Sequence, residues 1–339
     1  MKLRFCPLAV VALFAAFLLV SNLQAQPLVN IHTVTVGDAG NAADTTGYGA
    51  VTDVFAIGKY EVTIGQYSAF LNSVASVTSD SYLVDLWNGN MTTDLNIAGI
   101  SRSGSGTSAS PYNYSVIGSG NRPISYVSWF DAARFANWVN NGATNGASTE
   151  TGAYTLNGAT NGFIAKNAGA TWWIPSENEW YKAAYYKGGG TNGGYWVYPT
   201  RSDTAPDNNI GGATNQANYK DPDYAVTQSS DYDPDQNYLT DAGAFSNSAS
   251  AYDTFDQGGN VWEWNDAVIS SSSRGRRGGS WGNDETFMQS SFRSIGSPPT
   301  FEDSYVGFRV ASVPEPSTAV LVLMGVGALY LWKRRRATL

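Results

Sequence analysis

The stretch Asp256-Gln257-Gly258-Gly259-Asn260-Val261-Trp262-Glu263-Trp264 gathers residue types that can do chemistry. Two carboxylates stand seven residues apart. The glycines between them let the chain bend tightly, so that backbone carbonyls can point inward beside the acids. Calcium takes about 6–8 oxygen ligands of this mixed kind. A calcium loop is one reading; a turn ahead of a buried Trp pair is the other. A second acidic segment runs from Asn218 to Asp241 and holds Asp221, Asp223, Asp231, Asp233, Asp235 and Asp241. Its alternating acids at 231, 233 and 235 are spaced as in a calcium loop, but the glycine and closing Glu of an EF-hand are absent. A solvated acidic loop is the plainer reading. The run from Arg274 to Asn283 lacks the lysine pattern of a phosphate cradle. It reads as a packed turn whose arginines pair with nearby acids.

What the chain lacks excludes more. Its 339 residues hold one His, His32, and one Cys, Cys6. A Ser-His-Asp relay, a Cys-His pair and a zinc finger are therefore out of reach unless His32 serves alone. Asp284 and Glu285 could act as acid or base, although adjacent loop residues rarely converge on one substrate. With 42% apolar residues and 11 Trp, the chain can bury a core.

Both ends read as addresses. Lys2 and Arg4 precede an apolar run from Pro7 to Val20, and Leu23-Gln24-Ala25 follows. That order predicts a secretory signal peptide over residues 1–25, whose removal takes Cys6 with it. At the other end Pro314-Glu315-Pro316 precedes 15 residues from Thr318 to Trp332 and the cluster Lys333-Arg334-Arg335-Arg336. At about 1.5 Å per residue the run reaches roughly 22 Å, a short membrane-spanning segment that snorkelling basic residues could extend. The layout of residues 313–339 resembles the PEP-CTERM sorting signal of Gram-negative bacteria, which an exosortase reads and removes. An ordinary membrane anchor is the alternative, and either places the main domain outside the cytoplasmic membrane. Between the two ends, residues 26–312 carry 14 Lys and Arg against 27 Asp and Glu, a net charge of −13. So acidic a surface repels phosphate backbones, which argues against nucleic acid as a partner.

The elements that must position these residues are sparse. Strand-like runs are short and turn signals frequent, which predicts one loop-rich α+β domain over residues 26–312 with few helices. Three capping boxes open helices: Thr63 with Gln66, Ser128 with Asp131, and Ser176 with Glu179. The second helix shows an apolar face of Ala132, Phe135, Ala136 and Val139, with Gly142 as its stop. The repeated Asn141–Gly146 and Asn157–Gly162 read as two loops flanking a strand over Ala153–Leu156. Residues 99–121, rich in Gly and Ser, read as a surface insertion.

Six segments in order then carry a resemblance. They are Glu61-Val62-Thr63, Arg122 to Trp129, Ile174 to Trp180, Gly259 to Trp264, Arg277 to Trp281, and Gly307-Phe308-Arg309. Together the series resembles the formylglycine-generating enzyme family, also called the sulfatase-modifying factor domain, over roughly residues 50–312. The resemblance implies a variant of the C-type lectin-like fold that often holds calcium. It assigns one calcium to the Asp256 and Glu263 side chains with the Gly259 and Val261 carbonyls. It assigns a second to Asn218 and the Tyr219 carbonyl, with Asp235 as the nearest match for the acid. Active members bind copper with two cysteines five residues apart and oxidise a substrate cysteine to formylglycine. Those positions here are Asn283 and Met288. Neither offers the thiolate that Cu(I) prefers, so no copper is expected. The expectation is an exported, calcium-stabilised, noncatalytic protein. A cleft near Ser280, Trp281, Asn283, Met288 and Arg293 would take a polysaccharide or peptide. An enzyme of altered mechanism and a purely structural surface protein are the rival readings.

Overall fold

Three helices begin where a hydroxyl side chain caps them. The computed structural model describes residues 26–315. The apolar runs at both ends lie outside the described residues, and among those described no helix is long and apolar enough to cross a membrane. Helix α1 spans Ile64–Val74. The Thr63 hydroxyl accepts from the Gln66 N–H, and the Gln66 side chain accepts from the Thr63 N–H at 3.0 Å. Each box satisfies two backbone donors that would otherwise be free. Two single-turn helices follow, α2 at Ser81–Val84 and α3 at Asn90–Thr93. Helix α4 spans Trp129–Asn140 behind the box of Ser128 and Asp131, and α5 spans Glu177–Tyr185 behind that of Ser176 and Glu179.

Helix α4 departs from the one-sided pattern expected of it. Every residue from Trp129 to Val139 is buried, including Asp131, Arg134 and Asn137. Its polar side chains are kept inside by partners: Arg134 pairs with Glu150 at 2.8 Å, and Asn137 donates to the Thr149 and Tyr154 carbonyls. A helix enclosed all round is a core helix. Its Phe135 and Trp138 pack on Phe70 of α1, with ring centroids 5.4 Å apart in both pairs. The Phe70–Phe135 pair is edge-to-face, a contact that adds about 0.5–1.5 kcal/mol beyond area burial, and the Phe70–Trp138 pair is tilted.

The strands are short. Antiparallel β1 (Thr33–Val36) and β2 (Phe55–Gly58) form one sheet with β5 (Trp172–Trp173) and β11 (Ala311–Ser312), in the order β1-β2-β11-β5. A second sheet joins β8 (Trp262–Ser270) to β9 (Ser273–Arg277) as a bulged antiparallel hairpin, with β10 (Val306–Phe308) parallel on the other side of β8. Residues 99–121 are not the surface insertion expected from their composition. They contain a hairpin, β3 (Ile100–Ser103) and β4 (Asn113–Val116), which packs β4 on α1 and β3 on α3 and buries Ile100 and Tyr114. The strand expected over Ala153–Leu156 reduces to one bridge, Tyr154 to Lys166, because Asn137 claims the Tyr154 backbone. A last small hairpin, β6 (Lys220–Asp221) and β7 (Asp223–Tyr224), begins the acidic segment.

Candidate functional site

Parallel pairing of β8 with β10 sets Glu263 opposite Gly307 and brings Arg309 alongside. Glu263 is 0% exposed. Arg309 grips both its oxygens, Nε to Oε2 at 2.5 Å and Nη2 to Oε1 at 2.6 Å, and Trp180 Nε1 donates to Oε2 at 2.7 Å. The other guanidinium donors go to the Gly58 and Phe255 carbonyls, both at 2.9 Å. The bidentate fork suits a buried carboxylate.

One guanidinium faces more than one acid. Glu61, 2% exposed, accepts from Asn260 Nδ2 at 3.3 Å through Oε1, while its Oε2 has no partner. Burial pushes the Glu61 carboxyl well above the usual range, and the nearby Asp256 carboxylate pushes it further; Arg309 pulls the other way. Burial likewise raises Asp256, to about 6, against the Gly243 N–H that donates to its Oδ2 at 2.6 Å. Three carboxylates thus surround one guanidinium, leaving two negative charges in surplus when all are ionised. Isolated buried charge is costly, and the raised Glu61 and Asp256 carboxyls relieve that surplus by taking up protons.

The two segments read as calcium loops meet here. Asn218 bridges Gly259 in parallel, Asn260 N–H donates to the Asn218 carbonyl at 2.8 Å, and Asn218 Nδ2 donates to Asn260 Oδ1 at 3.0 Å. Gly259 has φ 82°, and a Cβ on it would lie 2.2 Å from the Asn218 carbonyl oxygen. Only glycine fits so close an approach. The Tyr219 carbonyl accepts from Asn208 Nδ2 at 3.3 Å. Asp235 lies apart on the exposed loop, where its N–H donates to Asp233 Oδ1 at 2.9 Å. Among the described residues, no group of three or more His, Cys, Asp or Glu side chains converges to hold a metal ion.

The five cleft residues fall into separate environments. Ser280 Oγ and Trp262 Nε1 both donate to Asn283 Oδ1, each at 2.8 Å. Met288 is fully buried with Tyr198, Ala217 and Tyr219. Trp281, 8% exposed, lies flat on Tyr238 with centroids 4.8 Å apart. Arg293 pairs with Glu177 at 2.8 Å, as does Arg277. Arg274 pairs with Asp266 at 2.5 Å, so the expected pairing holds for Arg274 and Arg277, on strand β9 rather than in a turn, whereas Arg276 has no acid partner and lies over the Trp262, Trp264 and Phe301 rings. Asp284 caps the 3-10 turn Glu285–Met288 by accepting from the Thr286 N–H at 3.0 Å. Cavities of about 530 and 740 Å³ are lined by other residues, chiefly of the segment Pro27–Thr33 and its neighbours.

Sequence reasoning missed the roles of Glu61 and Arg309. Both stood in quoted motifs, Glu61-Val62-Thr63 and Gly307-Phe308-Arg309, but nothing in either says that they face one another across Glu263.

A loop-rich α+β domain with few helices, a Gly-Asn-x-Trp-Glu-Trp strand at its centre and an Arg closing on that strand's Glu define the class. The model of the sulfatase-modifying factor enzyme 1-like domain matches residues 29–313, and the chain belongs to that family. Its fold is the C-type lectin-like variant of the formylglycine-generating enzymes. A PEP-CTERM protein-sorting motif matches residues 312–336, the signal for export and exosortase-mediated processing at the surface of Gram-negative bacteria. Among solved structures, the chain is similar to CarF at 19% identity, covering 84% of this chain and 99% of that one, with a TM-score of 0.46. It is similar to Treponema denticola variable protein 1 at 17% identity, covering 84% and 93%, with a TM-score of 0.42. PvdO from Pseudomonas aeruginosa gives 17%, 84% and 93%, with a TM-score of 0.41. No functionally curated protein matches the chain.

Proposed function

We propose that this exported protein is a noncatalytic member of its family, stabilised by calcium, which binds a polysaccharide or peptide at the cell surface or in the surrounding matrix. The carrying observation is the pair Asn283 and Met288 at the positions of the family's two cysteines. The Asn283 side-chain oxygen is taken up by two donors, and the Met288 thioether is buried among aromatic rings. Copper does not fit this donor set, because no thiolate stands at either position.

Calcium fits the other cluster better. The partnerless Glu61 Oε2 and the surplus of buried carboxylate support a cation there. Asp256 and Glu263 with the Gly259 and Val261 carbonyls would hold it, and its contribution is neutralisation of that charge. Asn218, Tyr219 and Asp235 would form the second site only if the exposed loop brought Asp235 inward.

The test of noncatalysis uses the full chain in detergent with copper, oxygen and a cysteine-bearing sulfatase peptide. Mass spectrometry should find the peptide's thiol unchanged. Conversion to the aldehyde above the rate of peptide alone overturns the proposal.

A further inference from the structure

Tyr232 is 54% exposed, more than any other aromatic side chain among the described residues. It is not a loose surface residue. Its ring lies parallel to that of Tyr238, with centroids 5.9 Å apart and planes 11° from each other. Tyr238 in turn lies flat on Trp281, 4.8 Å apart and 5° from parallel. Tyr224 buttresses the stack from the side, 4.5 Å from Tyr238. The Tyr232 hydroxyl donates to Asn96 Oδ1, and Asn96 Nδ2 donates to the carbonyls of Asp233 and Gln236 at 3.0 and 2.9 Å. The Asp233 N–H donates to the Tyr238 hydroxyl at 2.8 Å. Ring and loop are therefore fixed together. One face of the Tyr232 ring is spent on Tyr238, and the other is turned away from it, toward solvent.

Acids predominate around that face. Asp231, Asp233 and Asp235 are exposed beside it, and Asp94 lies near enough to raise the Tyr232 phenol, second only to burial. The cation on the stack is Lys220, whose Nζ lies over the Tyr224 ring, 4.5 Å from its centroid, while Tyr232 itself is flanked by Asp231 and Asp233. The negative face of an aromatic ring attracts both the weakly positive C–H face of a sugar and a full ammonium charge. Carboxylates around it accept from hydroxyl and ammonium groups. A rigid ring loses little entropy on binding.

We propose that the Tyr232 face, fringed by Asp231, Asp233 and Asp235, is the ligand surface of this domain and takes a polysaccharide bearing free ammonium groups. This rests on the noncatalytic binding role proposed above. It moves the site from Trp281, which the stack covers, to the outer end of the same stack. The flat C–H face of a sugar suits the planar ring, and the ammonium suits the acids.

Titration calorimetry of the full chain in detergent, at low salt, tests it with a glucosamine hexamer, its N-acetylated counterpart and a lysine hexamer as probes. Saturable binding of the glucosamine hexamer is expected, at least tenfold weaker for the N-acetylated hexamer and for oligolysine. Tyr232→Ala and the double variant Asp231→Asn/Asp233→Asn should each weaken glucosamine binding about tenfold or more while the domain stays folded, Tyr232→Ala melting a few degrees lower for loss of its stacking and its Asn96 contact. Failure of the glucosamine hexamer to bind overturns the proposal, as does undiminished binding by folded Tyr232→Ala. Equal affinity for the N-acetylated hexamer removes the ammonium claim, and equal affinity for oligolysine removes the sugar claim. If another glycan binds independently of Tyr232, this site is wrong while the binding role stands. If the peptide test above shows turnover, it is that role which fails.

Discussion

Replacing Arg309 with Met should be among the most damaging single changes in the domain. The side chains are similar in length, so the change removes charge and donors more than volume. Glu263 then keeps only the Trp180 N–H, and the Gly58 and Phe255 carbonyls lose their partners. Breaking a buried ion pair by removing one partner costs about 3–5 kcal/mol, because the other charge is stranded. Here the stranded charge has Glu61 and Asp256 for neighbours, which places the expectation at the upper end. At about 2.1 cal/mol/K per residue a domain of this size shifts by roughly 1.5–2 °C per kcal/mol, so the melting temperature should fall by about 6–10 °C. Scanning calorimetry of wild type, Arg309→Met, Glu263→Gln and the double variant would measure it. The double variant should recover part of the loss, since neutralising Glu263 removes the stranded charge; the non-additivity is the coupling energy. A loss below about 1 kcal/mol for Arg309→Met, or strictly additive losses, would refute the reasoning that the guanidinium holds this cluster together.

Two further outcomes follow from the same region. Chelating calcium should lower the melting temperature, with restoration on adding it back, because a ligand held only by the folded state stabilises that state. The effect should grow with pH. Asp256 is raised in the folded state to about 6, so its contribution to the stability of metal-free protein is present below about pH 4 and lost as pH rises through 6. Glu61, raised in the same direction, adds to that loss. Metal-free melts that are flat from pH 4 to 8 would contradict this. Gly259→Ala should prevent folding or cost several kcal/mol, since the added Cβ meets the Asn218 carbonyl at 2.2 Å in a left-handed backbone; a variant that melts like wild type would show that the loops can separate.

The local signals in the sequence translated well. All three capping boxes form, because a hydroxyl and an acceptor three residues on need only each other and the backbone between them. Long-range pairing was invisible. Nothing near Glu263 announces that its partner lies at Arg309, and nothing near Gly259 announces the Asn218 carbonyl. Composition misled at residues 99–121, where Gly and Ser build the turns of a hairpin whose Ile100 and Tyr114 are core residues. It misled again in α4, whose Arg134 and Asn137 looked solvent-facing until Glu150 and the Tyr154 backbone supplied their partners. The Tyr232–Tyr238–Trp281 stack joins residues 49 positions apart in sequence, which no periodicity encodes.

Strand β11 carries a consequence for biogenesis. Ala311 and Ser312 pair with Ile57 and Ala56 on one side and with Trp173 and Trp172 on the other. The last strand described is thus an interior member of the first sheet, and β5 reaches β2 only through it. A ribosome or translocon still holding residue 312 holds back the piece that joins the two halves, so the sheet closes after export of nearly the whole domain. Non-local closure of this kind slows folding. The sorting motif starts at Ser312, the final residue of that strand. A cut downstream of Pro316 leaves the sheet whole, whereas a cut three or four residues upstream of the triplet would take the seam out of the domain.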